Sequence, residues 1–300
     1  MGEAGELACK KREQKGEKKM IFDIRINPPT TVEPNPPGWE GYDKNVPHMK
    51  NAAPFLDQPF SKFVDMLTEA GVTRGMLITG PYQQKIDDLP KHIKSLMDQY
   101  PGKFVGGVTV WPQENLMKSV QEIERAVKEF GMKTILLRPF ASMAYANDRR
   151  FYPIYAKCAE LGAVVSIVVG INFTGHPNLE YANPMPVDSV AAEFPSLKII
   201  LTHSGWPWAA EAVAVAWKNP NVYIDISGIG PRFIAMDGGG YEPIFKFGNS
   251  ILQDKILWGT DWPLTDQKRS IGEVMQLPLK EEVKQKWLYK NAMTLFGLKD

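Results

Sequence analysis

At 300 residues the chain is long enough for one large domain or two small ones. Hydrophobic residues make up 44% and charged residues 23%, which excludes general disorder and leaves ample material for a core. A formal net charge of +1 gives no field that would favour nucleic acid or an anionic membrane, so a small molecule is the expected partner.

In chain order, residues 1–19 are rich in Lys, Glu and Gly and read as a disordered N-terminal extension, whereas residues 20–300 read as a single domain. Glu6 stands where a myristoylation motif requires Ser or Thr, and the basic start lacks the apolar centre of a secretory signal. No apolar run is long enough to cross a bilayer, so no membrane partner is expected. Cys9 and Cys158 lie far apart without metal-ligand spacing, which fits a reducing, cytoplasmic compartment.

From Met20 onward, short apolar runs alternate with longer amphipathic ones. Strands are predicted at 20–26, 74–78, 104–110, 134–137, 164–169, 198–201, 222–226 and 255–258. Helices are predicted at 59–70, 86–100, 115–130, 148–161, 186–194, 207–218, 241–247 and 280–295. Gly71, Gly131 and Gly162 follow three of these helices where a tight turn into the next strand needs a left-handed cap. The stretch 27–55, with Trp39, Tyr42, His48 and many prolines, exceeds an ordinary connection and reads as a lid. His92 reads as a solvent-exposed helix residue.

Such alternation predicts an α/β fold with a parallel sheet, either a closed (β/α)8 TIM barrel or an open doubly wound sheet. No Gly-x-Gly-x-x-Gly follows the first strand, which favours the barrel. Reactive groups of a barrel sit at the C-terminal ends of its strands and on the loops beyond. That rule selects Asp23, Arg25, Asn27, Arg138, His176, His203, Asp225 and Asp261.

Strand alternation places Asp23, Arg25 and Asn27 on one face. His203 suits general acid/base work, or is a buried hydrogen-bonded histidine. Asp261 could activate water, or cap a helix from its Gly-Thr-Asp turn. Arg138 could grip a carboxylate or pair with a surface acid, and Arg25 could do the same or form a structural ion pair. Trp206, Trp208, Trp258 and Trp262 crowd these motif ends, some expected in the pocket and the rest in the core or a subunit contact.

Four segments carry a specific likeness: Phe194–Gly205, Asn219–Gly228, Leu257–Pro263 and Lys290–Gly297. On these the chain resembles the amidohydrolase-related family of metal-dependent hydrolases, decarboxylases and lactonases, over roughly residue 20 to the end. The resemblance implies an amidohydrolase-like barrel, and a homodimer. It also implies a divalent metal on a His-x-His pair of strand one, histidines on strands five and six, and an Asp on strand eight. Here Arg25 and Asn27 stand in place of the pair, Val168 falls at the strand-five position, and only His203 and Asp261 match.

Two ligands hold a metal poorly, and a fixed guanidinium repels a dication. The expected site therefore has no cofactor, with Arg25, His203 and Asp261 catalytic and Asp23, Asn27, Arg138 and His176 binding a small carboxylate-bearing substrate. A zinc or manganese ion on His176, His203 and Asp261 is the minority reading. The expected reaction is hydrolysis of a lactone, cyclic amide or other C–O or C–N bond. The alternatives are decarboxylation of an aromatic or unsaturated acid, and an inactive metabolite- or protein-binding barrel.

Overall fold

In the computed structural model the described residues are 19–29, 58–79, 88–171 and 178–299. Eight strands run parallel in chain order: β1 (Phe22–Ile26), β2 (Arg74–Ile78), β3 (Phe104–Thr109), β4 (Thr134–Leu137), β5 (Val164–Val168), β6 (Ile199–Thr202), β7 (Val222–Asp225) and β8 (Ile256–Leu257). The two sheet edges meet. Ile24 N–H donates to Trp258 O at 3.1 Å, Asn27 N–H donates to Trp262 O at 3.3 Å, and Ile26 forms a parallel bridge with Trp262. These contacts close the barrel and remove the open-sheet alternative. Gly259 is required at the seam, because a Cβ there would lie 2.7 Å from Ile24 Cγ2 and 3.1 Å from the Arg25 backbone nitrogen.

Both faces of the strands are covered, which is why they read as continuous apolar runs such as Thr134-Ile135-Leu136-Leu137. The outer shell is formed by α1 (Phe60–Glu69), α2 (Leu89–Gln99), α3 (Leu116–Lys128), α4 (Tyr152–Leu161), α5 (Val187–Glu193), α6 (Ala209–Lys218), α7 (Glu242–Gly248) and α8 (Gln267–Gln276). Phe63 of α1, for example, packs on Trp262 with ring centroids 4.5 Å apart. Asn115 caps α3 by accepting from Lys118 N–H, and Gly162 ends α4 in the left-handed conformation at φ 66°.

The single helix predicted at 280–295 is divided into α9 (Glu281–Gln285), a π turn (Lys286–Lys290) and α10 (Asn291–Phe296). Helix α8 was not predicted. Its buried face is Gln267, Ser270, Glu273 and Val274, so apolar periodicity is missing from a helix whose inward residues are mostly polar. Two of those groups have partners: Ser270 Oγ accepts from Trp258 Nε1 at 3.0 Å, and Glu273 pairs with Arg232.

Inside the barrel, Phe22, Ile24, Met76, Ile78, Leu136, Val164, Val168, Ile200 and Leu257 form a second apolar cluster together with Ala292, Met293 and Phe296 of α10. Phe296 stacks on Phe22 at 5.8 Å, Lys198 Nζ donates to Leu295 O, and Arg74 reaches Met293 Sδ. These partners lie at the starts of β1, β6 and β2, so α10 covers the N-terminal floor of the barrel. The chemistry is left to the opposite end.

Cys158 is a buried free thiol. Among the described residues no helix is long and apolar enough to cross a membrane. The proposed extension, all but Lys19, and most of the proposed lid lie outside the described residues.

Candidate active site

The strand alternation expected for β1 is broken by a shift in its pairing with β2 between Asp23 and Ile26. Ile24 consequently belongs to the inner cluster and Ile26 to the outer one, as an extra residue in a strand requires. Arg25 and Asn27 thereby reach the end of β8, while Asp23 takes a different part.

Arg25 Nε donates to Asp261 Oδ1 at 2.7 Å, and Asn27 Nδ2 donates to the same oxygen at 2.9 Å and to Trp262 O at 2.7 Å. The ion pair is buried, with side-chain exposures of 4% and 8%. Burial alone would raise the Asp261 pKa, but the Arg25 charge, His203 and the Asn27 hydrogen bond outweigh it and hold the carboxyl below its usual range. Asp261 is therefore a carboxylate. It caps no helix; that task falls to Asp266, which accepts from Arg269 N–H at the start of α8.

His203 lies at the end of β6, with Nε2 3.7 Å from Asp261 Oδ2. Burial, followed by the charges of Arg25 and Arg138, pushes its pKa down to about 4 against the pull of Asp261, so the ring is neutral at pH 7. Nδ1 lies 2.9 Å from the Ser227 carbonyl oxygen, which can only accept. The proton therefore sits on Nδ1, and the Nε2 lone pair faces Asp261.

His203 (φ 66°), Ser204 (φ 59°) and Asp261 (φ 50°) all adopt the left-handed backbone region. Each costs about 1 kcal/mol or more, and such outliers persist where surrounding contacts fix them. That two of the three carry the opposed Nε2 and Oδ2 atoms marks this end of the barrel as the functional one.

Asp23 is fully buried and accepts from Thr260 N–H, Thr260 Oγ1 and Arg25 N–H. Its expected role as a substrate contact does not suit a carboxyl whose oxygens are spent fixing the β8 turn. Asp225 accepts from Ser227 N–H at 2.6 Å and Ser227 Oγ at 2.8 Å. Burial raises both Asp23 and Asp225 to about 7, in spite of their hydrogen bonds.

Arg138 follows β4, half-buried, with its guanidinium 5.4 Å from the centroid of the Trp111 ring, and its charge reaches His203. His176 and His48 lie outside the described residues. His92 is half-buried, a correction to its exposed reading, and burial lowers its pKa. Trp258 and Trp262 belong to the core, whereas half-buried Trp206 donates to Gly239 O and stacks on Tyr241. Residue-by-residue reading of the sequence missed Ser227, Gly228 and Thr260; the Asp225-x-Ser227-Gly228 and Thr260-Asp261 spacings were the signals available.

The model of the family described as Amidohydrolase matches residues 83–298. The chain belongs to the amidohydrolase family. A 2-amino-3-carboxymuconate-6-semialdehyde decarboxylase of Dictyostelium discoideum is 24% identical over 236 residues, covering 70% of this chain and 66% of that protein, just under two thirds of its length.

Among solved structures, an uncharacterized TIM-barrel protein from Bordetella bronchiseptica superposes with a TM-score of 0.75 at 24% identity, covering 93% of this chain and 98% of the other. A dihydroxybenzoic acid decarboxylase from Polaromonas sp. JS666, with bound manganese and the inhibitor 2-nitroresorcinol, gives 0.67 at 18% identity, covering 93% and 96%. At these identities the structural likeness establishes the shared barrel.

The manganese in that decarboxylase structure raises the question of metal here. No group of three His, Cys, Asp or Glu that could hold an ion occurs among the described residues. Moreover, Asp261 Oδ1 already accepts from a guanidinium and an amide. The described donor set does not fit a divalent ion, which needs at least three ligands and no cation against them. The set His176, His203 and Asp261 rests on a residue outside that description.

Proposed function

We propose that the protein is a carboxy-lyase that decarboxylates a small aromatic or unsaturated acid. The observation that carries this reading is the close pair formed by a neutral, half-buried His203, its Nε2 lone pair bare, and an ionised Asp261 3.7 Å away. Decarboxylation needs a proton delivered to the carbon that loses the carboxylate, and a place for the electrons in the meantime.

His203 Nε2 takes the proton of a hydroxyl conjugated to that carbon. Asp261 stabilises the imidazolium, and the fixed charges of Arg25 and Arg138 stabilise the oxyanion and the carboxylate. The imidazolium then protonates the carbon. The C–C bond to the carboxylate breaks with release of CO2, its electron pair returns through the conjugated system to oxygen, and a solvent proton completes the balance. The decarboxylase from Dictyostelium discoideum among the relatives supports this reaction over others of the family.

The same atoms would serve a hydrolase by taking a proton from water, so one experiment measures both. Purified protein is offered hydroxylated aromatic acids and unsaturated dicarboxylic acids, with CO2 and product measured, and in parallel lactones and cyclic amides. Release of CO2 that His203→Gln and Asp261→Asn abolish supports the reading. Turnover confined to lactones or amides moves the protein to the hydrolases, and binding of acids by calorimetry without turnover makes it a binding barrel.

A further inference from the structure

We infer that Asp225 is a positioning residue that fixes the tautomer of His203, acting through Ser227 without touching the substrate. If left to itself, His203 would favour the opposite tautomer. Asp261 Oδ2 lies 3.7 Å from Nε2, and a carboxylate attracts an N–H. A proton on Nε2 would remove the lone pair on which the proposed chemistry depends.

The opposing pull comes from the turn after β7. The Ser227 carbonyl accepts from Nδ1 at 2.9 Å, and Ser227 Oγ is 3.4 Å from the same nitrogen. A hydroxyl can donate or accept, so Oγ alone would leave the tautomer open. Asp225 closes that choice. Its carboxylate takes the Ser227 hydroxyl proton at 2.8 Å and the Ser227 backbone N–H at 2.6 Å, so Oγ can offer Nδ1 only a lone pair. Carbonyl and hydroxyl oxygens then both face Nδ1 as acceptors, and the proton stays there.

Gly228 completes the arrangement. It holds φ 73°, and a Cβ there would lie 3.0 Å from Nδ1 and 3.6 Å from Asp261 Oδ2, so glycine lets the imidazole rest against the turn. Asp225 itself is 2% exposed and bonded to Ser227.

The test rests on near-isosteric chemistry. In Asp225→Asn the Ser227 backbone N–H keeps the amide oxygen, so the amide NH2 faces Ser227 Oγ and donates to it. The hydroxyl proton is released toward Nδ1, and the Nε2–H tautomer gains population. Adding Ser227→Ala removes that hydroxyl and returns the proton to Nδ1.

The readout is the 15N spectrum of the full chain labelled at histidine, taken at pH 9, where Asp225 is a carboxylate, with the His203 signals identified by their loss in His203→Gln. Wild-type protein is expected to show Nδ1–H only, Asp225→Asn a mixture, and the double variant the wild-type pattern. A wild-type Nε2–H tautomer, or an unchanged Asp225→Asn spectrum, overturns the inference. Should Asp225→Asn fail to fold, Asp225→Ala, which likewise frees the Ser227 hydroxyl, takes its place with the same expected mixture and the same overturning result. Where turnover is found, kcat of Asp225→Asn should fall with the fraction of Nδ1–H lost while KM holds. That last arm rests on the proposed reaction, whereas the tautomer is read without it, so the two can fail separately.

Discussion

Replacing Arg25 by Met tests the ion pair at the barrel mouth. The substitution keeps much of the apolar stem and removes the guanidinium from a carboxylate with only 8% side-chain exposure. Asp261 would then retain one Asn27 hydrogen bond at 2.9 Å and a neutral His203 at 3.7 Å, too little to hold a buried charge. Breaking such a pair from one side costs about 3–5 kcal/mol.

For a chain of this size that corresponds to a drop in melting temperature on the order of 10 °C. Asp261→Asn removes the charge instead, and the double variant should lose far less than the sum of the two single changes. Urea unfolding of all four proteins, followed by fluorescence and circular dichroism, gives the coupling energy. A coupling below about 0.5 kcal/mol, or an Arg25→Met loss no larger than a surface substitution's, would refute the claim that the guanidinium neutralises Asp261.

Further outcomes follow from the same geometry. His203→Gln should lower any decarboxylase turnover by about 10²–10⁴-fold with the melting temperature little changed, measured by CO2 release against thermal unfolding. Asp23 and Asp225, raised in the fold to about 7, keep protons that the unfolded chain gives up, so each lowers stability as pH rises from about 4 to 7. His203, lowered to about 4, acts in reverse and adds stability between about pH 4 and 6.5. Asp225→Asn should therefore flatten the decline of urea stability between pH 5 and 7, and an unchanged slope would contradict its raised pKa. Gly228→Ala, at φ 73° and against the His203 ring, should cost about 1–2 kcal/mol in urea and reduce turnover together.

The barrel was legible because its strands are covered on both faces and its helices on one, so composition switches at each boundary. Gly131 and Gly162 marked helix ends for a steric reason that sequence preserves. Helix α8 was hidden because its inward face is mostly polar, with Ser270 and Glu273 buried against side chains distant in the chain, Trp258 and Arg232. At the mouth, His203, Asp261 and Arg25 could be chosen from their positions at strand ends. The separation of Asp23 from Arg25 could not, because a shift in pairing with a neighbouring strand leaves no mark in the residues that undergo it. The same holds for Ser227, whose part is played by its carbonyl, a group every residue owns.

The contacts that join the first strand to the eighth are also the contacts of the groups proposed to react. Arg25 and Asn27 bind Asp261, and Asp23 binds Thr260, across separations of more than two hundred residues. Side chains of this kind work as a clasp, and it fastens only when the final strand has arrived. A partly folded chain would thus carry no partial activity, since base, acid and cation become neighbours in the step that shuts the cylinder. Substitutions of Arg25 or Asp261 chosen to disable the reaction will loosen the clasp as well, so their turnover is meaningful only per folded molecule.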